Sequence, residues 1–550
     1  MRKDKKSPSK AKVPARADGR EILVLFVLAL VLRIIGVGWG LPGPTHVFSY
    51  HPDEIFVLRP ALGMLEGDWN PHFFNYGTLY LYLVGVVSWL FALVGLSPGN
   101  APDLGLLHLI GRVITAFLGA GTVALIYLIG RELGSRKLAL WASALLAVAP
   151  LHLVNSHFAT VDVPGTFLLA LGAYGSLRII REGGTQWYLL SGAAMGLAAA
   201  TKYNFGVGIL VVVAAHLLRG KIPGREHARL VAAIMMLPVF FLIGCPYALS
   251  LEGLPHIRKE FLAGLLFEAR HMQEVRTAAF VGAGSGWAYH GLRGLPAALG
   301  VPLYLLAVGG MVRAFLLRGD SHAKKDILLL LGWIVFFFLM IGFATERFIR
   351  YLVPLVPFLC LFGAFAMEGI FRLRLKGLRV IAVGLGMALG LNLAYSVSQL
   401  RLFVVTDPRD DALAAVNELG PKTVGVQEIP WFRTPAVSPF NGGVLSQSSF
   451  IKWQETAPYR VIVTGWKREV LKREQPEVFA ISDLQYVNVL RLGDKRARDF
   501  MEVLENSYSE HRVFQNPTPT DWVGGDRRRS PPDWLYLKPV VSIYSGWKND

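Results

Sequence analysis

The sequence predicts a polytopic α-helical membrane protein, with about twelve transmembrane helices and a small extracytoplasmic α/β domain at its C-terminal end. Three observations carry that expectation. The 550 residues are 53% hydrophobic and only 17% charged, with a mean hydropathy of +0.43, values that soluble domains rarely reach. Apolar runs of roughly membrane-spanning length recur from residue 22 to residue 398. The connecting loops alternate between strongly basic and almost uncharged, as expected of a chain threaded back and forth across a bilayer.

Taken in order, residues 1–20 are basic and lack apolar content, and read as a cytoplasmic arm. The run 22–41 resembles a signal-peptide core, but it is too long and has no small-residue cleavage site, so it is expected to be the first span. Further spans are expected near 77–96, 106–130, 138–151, 163–180, 187–200, 205–218, 230–247, 297–315, 327–344, 351–371 and 378–398. Together, 21–398 form the expected transmembrane module. Inside loops carry Arg131, Arg136 and Lys137, then Arg178 and Arg181, then Arg219, Lys221, Arg225 and Arg229. Arg318, Lys324 and Lys325 follow, and then Arg372, Arg374, Lys376 and Arg379. The segments 97–105 and 152–160 have no Lys or Arg. The positive-inside rule then makes the N-terminus cytoplasmic and places 42–76, 246–296 and 399–550 on the outer face of a cell (inner or plasma) membrane.

The tail, 399–550, alternates helix and strand signals. Asp407 before Pro408 suits the cap of a helix through DDALAAVNEL. TVGVQ, YRVIVTGW and WLYLKPVVSIY read as strands, and ARDFMEVLENSY as a helix. The net charge of +17 fits a membrane surface rather than nucleic acid, because the cations lie in short loops between apolar runs. Cys245 and Cys360 both sit in apolar segments, which argues against a disulfide framework.

Ionisable residues on the outer side are the candidates for chemistry. Asp53 and Glu54 are adjacent acids just after the first span, with Arg59 nearby. Glycosyl transfer to a hydroxyl needs a base for the acceptor proton, and a carboxylate in a partly dry cleft can serve; the alternative is a solvated loop. Asp162 stands at the outer end of another span, as a functional acid or as a helix cap. Lys202, Arg347 and Arg350 are cations on the poorly charged outer side. They suit a lipid-phosphate leaving group, or they snorkel to headgroups. Arg112 falls within the third span, where it faces the bundle interior. His271 and His290 could join Glu54 around a metal, but their spacing favours packing roles. The segment 252–276 has helical spacing suited to the membrane surface.

In order and in membrane side, these pieces resemble the GT-C superfamily of membrane glycosyltransferases, and within it the protein O-mannosyltransferase and aminoarabinose lipid A transferase branch. The matching stretches are HPDE, GDWNPHFFNYGTLYLYL, SHFATVDVP, ATKYN and ERFIRYLVPLVPF, with TDPRDDALAAVNEL at the start of the tail. The resemblance implies a polyprenyl-phosphate sugar donor, inversion at the sugar carbon and an acceptor that is a lipid, glycan or protein. It implies Asp53 as the acid that activates the acceptor, Glu54 and Asp162 as supporting acids, and Lys202, Arg347, Arg350 and Arg59 near the donor phosphate. Some members hold a divalent metal near this loop, and its ligands do not map onto this chain. Two other readings compete: a polytopic transporter, disfavoured by the absence of evident two-fold sequence symmetry, and a non-catalytic lipid-binding subunit.

Overall fold

A computed structural model describes residues 16–43, 45–95, 104–220, 224–249, 258–275, 277–316, 322–372, 378–438, 453–518, 527 and 530–548. Residues 1–15 of the expected arm lie outside the described residues. The arm's last five residues are helical, because α1 runs Arg16–Ile34. The segment that follows contains a short helix, α2 (Glu54–Leu65), and leads into α3 (Leu79–Leu93) and α4 (Leu104–Glu132).

Beyond α4 the chain continues as a helical bundle to Arg401. Six described helices are long and apolar enough to cross a membrane: Leu104–Glu132, Asp162–Arg181, Gly224–Gly244, Ala323–Gly342, Ile349–Phe371 and Ala382–Arg401. A seventh span results if Gly286–Leu299 and Val301–Phe315, bent by 117° at Gly300, count as one. Shorter apolar helices, including Leu79–Leu93 and Tyr203–Leu218, lie among them. The chain is a multi-pass membrane protein. Packing follows the small-residue rule for helices in lipid. A Cβ at Gly192 would stand 2.2 Å from the Ala233 carbonyl oxygen, and one at Gly310 would stand 1.9 Å from that of Phe362. These glycines therefore let neighbouring helices touch at the backbone.

The tail folds as a five-stranded mixed sheet of order β2-β1-β3-β5-β4, built from β1 (Thr423–Val426), β2 (Arg460–Val463), β3 (Val478–Ser482), β4 (Tyr508–Phe514) and β5 (Val541–Trp547). β1 lies parallel to both β2 and β3, and β5 antiparallel to β3 and β4. The expected helix after Asp407 spans Pro408–Leu419, with the Asp407 side chain accepting the Arg409 amide. Lys495–Ser507 is capped by Asp494 and buries Phe500 and Leu504 beside Phe479 and Tyr508. One expected strand is shorter than 534–544: Pro532–Leu535 is helical, and pairing begins at Val541. The strand Val478–Ser482 and the helices Arg468–Glu474 and Asp483–Arg491 were not foreseen. Arg491 pins the tail to the segment before helix Gly286–Tyr289 by donating to the carbonyls of Ala278 (2.7 Å) and Val281 (3.1 Å).

Candidate active site

The two adjacent acids have opposite fates. Glu54 is fully buried and receives Arg112 bidentately, at 2.7 Å from Nε and 2.8 Å from Nη2. It also accepts the Ala159 amide at 2.8 Å and the Ser49 hydroxyl at 2.5 Å. Arg112 in turn donates to the carbonyls of Val37 and Trp39. Burial alone would raise the Glu54 pKa, but the Arg112 charge and hydrogen bonds outweigh it and hold the carboxyl at about 2. Glu54 therefore stitches α2, α4 and residues 37–39 together, with no oxygen left for a substrate. The expected supporting acid therefore lies in a buried ion pair with Arg112 and not in the cavity wall.

Asp53 is the N-cap residue of α2, yet its side chain makes no capping bond. The carboxylate instead meets Arg350 Nη1 at 3.0 Å and stays partly accessible. Its amide donates to His51 Nδ1 at 3.3 Å. Burial lowers the His51 pKa, which suits a neutral, accepting nitrogen. Asp162 is not a cap either: Val161 takes that position. The Asp162 carboxylate receives Lys202 Nζ at 2.8 Å, and both side chains are buried. Helix Thr185–Thr201 ends at Lys202, whose extended backbone (φ −149°, ψ 119°) turns the chain into the short helix Tyr203–Gly208.

Tyr351 joins the two ion pairs. Its ring centroid lies 5.0 Å from Lys202 Nζ and 5.8 Å from Arg350 Cζ, so both cations lie against one aromatic ring. A cavity of about 180 Å³ opens there, between Lys202, Tyr203, Tyr76, Tyr351 and Glu268. The Tyr203 hydroxyl, within hydrogen-bond reach of the Phe74 and Tyr76 carbonyls (2.9 and 2.8 Å), holds the segment between α2 and α3 against this cavity. Glu268 comes from helix Lys259–His271 and was not singled out in the sequence. Burial raises its pKa, partly offset by Lys202, His271 and Arg350. Its one sequence signal was an acid at helical spacing in the second outer segment.

The other expected site residues do not converge here. Arg347 donates to the Gly284 carbonyl at 2.5 Å, leaving Nε and Nη1 buried and without a protein partner. Arg59 is exposed on α2, on the side opposite Val57, Leu58 and Ala61, and is absent from the cavity wall. Among the described residues, no three His, Cys, Asp or Glu side chains gather as a metal site. The trio of His271, His290 and Glu54 does not fit one, because both Glu54 oxygens are spent on Arg112.

Comparison with known proteins bears on this arrangement. Residues 107–243 match the family model described as dolichyl-phosphate-mannose-protein mannosyltransferase. An uncharacterized protein of Aquifex aeolicus (strain VF5) is 26% identical over 185 residues, which is 33% of this chain and 34% of that protein. The match thus spans about a third of the length of that curated relative. Among solved structures, ArnT from Cupriavidus metallidurans bound to undecaprenyl phosphate is 16% identical with a TM-score of 0.52, over 95% of this chain and 97% of that one. The Archaeoglobus fulgidus oligosaccharyltransferase tethered with an acceptor peptide is 13% identical with a TM-score of 0.53, over 92% and 73%. The chain has the GT-C fold and resembles its ArnT and protein mannosyltransferase members.

Proposed function

From a GT-C fold with two acid–cation pairs linked through Tyr351 at the wall of one cavity, we propose that this protein transfers a sugar from a polyprenyl-phosphate-linked donor to a hydroxyl of an extracytoplasmic acceptor. The single observation that supports it most is the Asp53 carboxylate, freed from capping and aimed by Arg350 beside a ring that also carries Lys202. The acceptor oxygen attacks the anomeric carbon from the face opposite the phosphate. As the new carbon–oxygen bond forms, the bond to phosphate breaks and its electron pair stays on the phosphate oxygen. The acceptor proton passes to Asp53, acting as general base. A single displacement of this kind inverts the anomeric carbon. Lys202 offers its ammonium to the leaving phosphate while Asp162 holds it in place, and the low local dielectric strengthens that attraction. Arg350 orients Asp53, and Arg347 keeps two donors free for an anion farther out. The undecaprenyl phosphate bound in the ArnT structure is consistent with a polyprenyl-phosphate carrier. Sugar and acceptor are left as classes: a lipid, glycan or protein hydroxyl.

Lys202 gives the first expected outcome. Lys202→Ala weakens binding of undecaprenyl phosphate by about 10- to 150-fold, the equivalent of about 1.5–3 kcal/mol for a lost charge-assisted contact. Titration of the purified protein in nanodiscs reads this directly, and wild-type affinity in the variant removes Lys202 from the donor site.

Orientation gives the second. The loop charges place the N-terminus in the cytoplasm and the sheet domain outside. A periplasm-active reporter fused after Asp550 is expected to give signal, and a cytoplasm-active reporter at the same point is expected to be silent. The reverse pair of results places the cavity on the wrong side for this chemistry.

A further inference from the structure

The tail reaches into the bundle through one short strap, residues 531–536, of sequence PPDWLY. Both sides of it are anchored. The Trp534 indole N–H donates to the Tyr395 hydroxyl at 3.1 Å. The Tyr536 carbonyl accepts Arg409 Nη2 at 3.0 Å, and Arg409 is itself buried in a double contact with Asp407, at 2.7 Å each. The Tyr536 ring meets His51 edge-on at 5.9 Å. Between these anchors Asp533 turns its carboxylate inward. Oδ1 accepts the Ile349 amide at 3.3 Å, and Oδ2 accepts the Arg350 amide at 3.0 Å.

Those two amides open the short helix Ile349–Leu355, so they have no partner within it. We propose that Asp533 is a positioning residue for the transfer reaction: by fixing the backbone of Arg350, it sets the guanidinium that aims Asp53, and the active site is complete only with the tail docked. This rests on the reading of Asp53 as the base. The geometry runs without a gap from tail to carboxylate. Asp533 holds the Arg350 amide, the Phe348 ring lies 4.2 Å from Arg350 Cζ, and Nη1 reaches Asp53. An unfixed backbone would leave the long Arg350 side chain several rotamers, and general-base catalysis loses rate steeply with small misplacements.

The charge of Asp533 is part of the device. Burial pushes its pKa up to about 6, against the pull of Arg350 and the two amides. The charged and titratable groups facing it are Arg350, Tyr536 and Tyr289, with Arg293 and Arg347 beyond Tyr289. Above that pH both oxygens accept amides as a carboxylate. Below it the acid is neutral, one oxygen carries a proton, and the grip on Arg350 weakens. Transfer is therefore expected to fall on the acid side, with an inflection near pH 6.

The test uses the full chain in nanodiscs, as wild type, Asp533→Asn and Asp533→Glu. Deuterium exchange is followed in the peptide covering 346–356, and release of undecaprenyl phosphate from a sugar-charged lipid is followed from pH 5 to pH 8. In Asp533→Asn, exchange at Ile349 and Arg350 is expected to rise on the order of tenfold, since a charged acceptor is lost. Release is expected to slow and to lose its acid inflection, while undecaprenyl phosphate affinity holds. Asp533→Glu is expected to restore the inflection. Unchanged exchange in the Asn variant overturns the backbone contact. Faster exchange with an unchanged rate and pH profile shows a cap that serves folding alone, and overturns the positioning role. If the wild type releases no lipid phosphate at all, the transfer reading itself fails, and the exchange data show whether the contact survives it.

Discussion

Asp53→Asn is expected to abolish most sugar transfer, lowering the rate by about 10²–10⁴, the usual cost of a removed general base. The substitution keeps the size of the side chain and leaves α2 intact, because the Asp53 side chain does no capping. It removes the negative charge beside Arg350, so part of the loss comes from a guanidinium left without its counter-ion. In the proposed mechanism the donor phosphate is held by Lys202, whose own partner is Asp162, and undecaprenyl phosphate affinity should stay within a few-fold of wild type. Transfer kinetics and lipid titration on the same preparation separate the two effects. Wild-type transfer by the Asn variant would remove the base from the mechanism, whereas loss of the fold would make Asp53 an architectural acid like its neighbour.

The second large effect is on stability. Breaking the Glu54–Arg112 pair by Arg112→Met strands a buried carboxylate and is expected to cost about 3–5 kcal/mol. The double variant Glu54→Leu/Arg112→Met removes both charges and should recover much of that loss, because paired apolar replacement avoids the uncompensated charge. The pH dependence has a definite sign. Folding holds the Glu54 carboxyl at about 2, below its ordinary 4.5. Its contribution to stability is therefore complete above about pH 4.5 and is lost as pH falls through about 2. Thermal unfolding of the wild type and the two variants in one detergent checks this. Equal stability of Arg112→Met and wild type would contradict the architectural role.

The bundle was legible because its signals are long: apolar runs and loop charges average over many residues, so noise at any one position matters little. The site was legible only as a set of residue types on one side of the membrane. Asp53 and Glu54 look equivalent in HPDE, and only tertiary structure separates them, by carrying Arg112 across to one and Arg350 to the other. Arg112 drives the Glu54 carboxyl down despite its burial. For Asp162, a position at a helix start left functional acid and cap equally open; the cap position falls to Val161, and the carboxylate is held by Lys202, forty residues later in sequence. Arg59 had the right charge, and the fold leaves it exposed on α2. Glu268 and Asp533 were hidden for a common reason: each lies in a segment whose pattern reads as an ordinary surface element, and its importance comes from what that element docks against. In the tail, β3 is buried along its whole length, so it lacks the alternation that marks a half-buried strand.

The most direct measurement is made on the purified protein with a radiolabelled sugar on undecaprenyl phosphate, separating free lipid phosphate from charged lipid over time. The wild type is expected to release undecaprenyl phosphate and pass the label to an added hydroxyl acceptor extract, and Asp53→Asn is expected to bind the lipid and leave its sugar bond whole. An intact sugar–phosphate bond in the wild type, with label moved across the membrane instead, would contradict the account and point to a transporter.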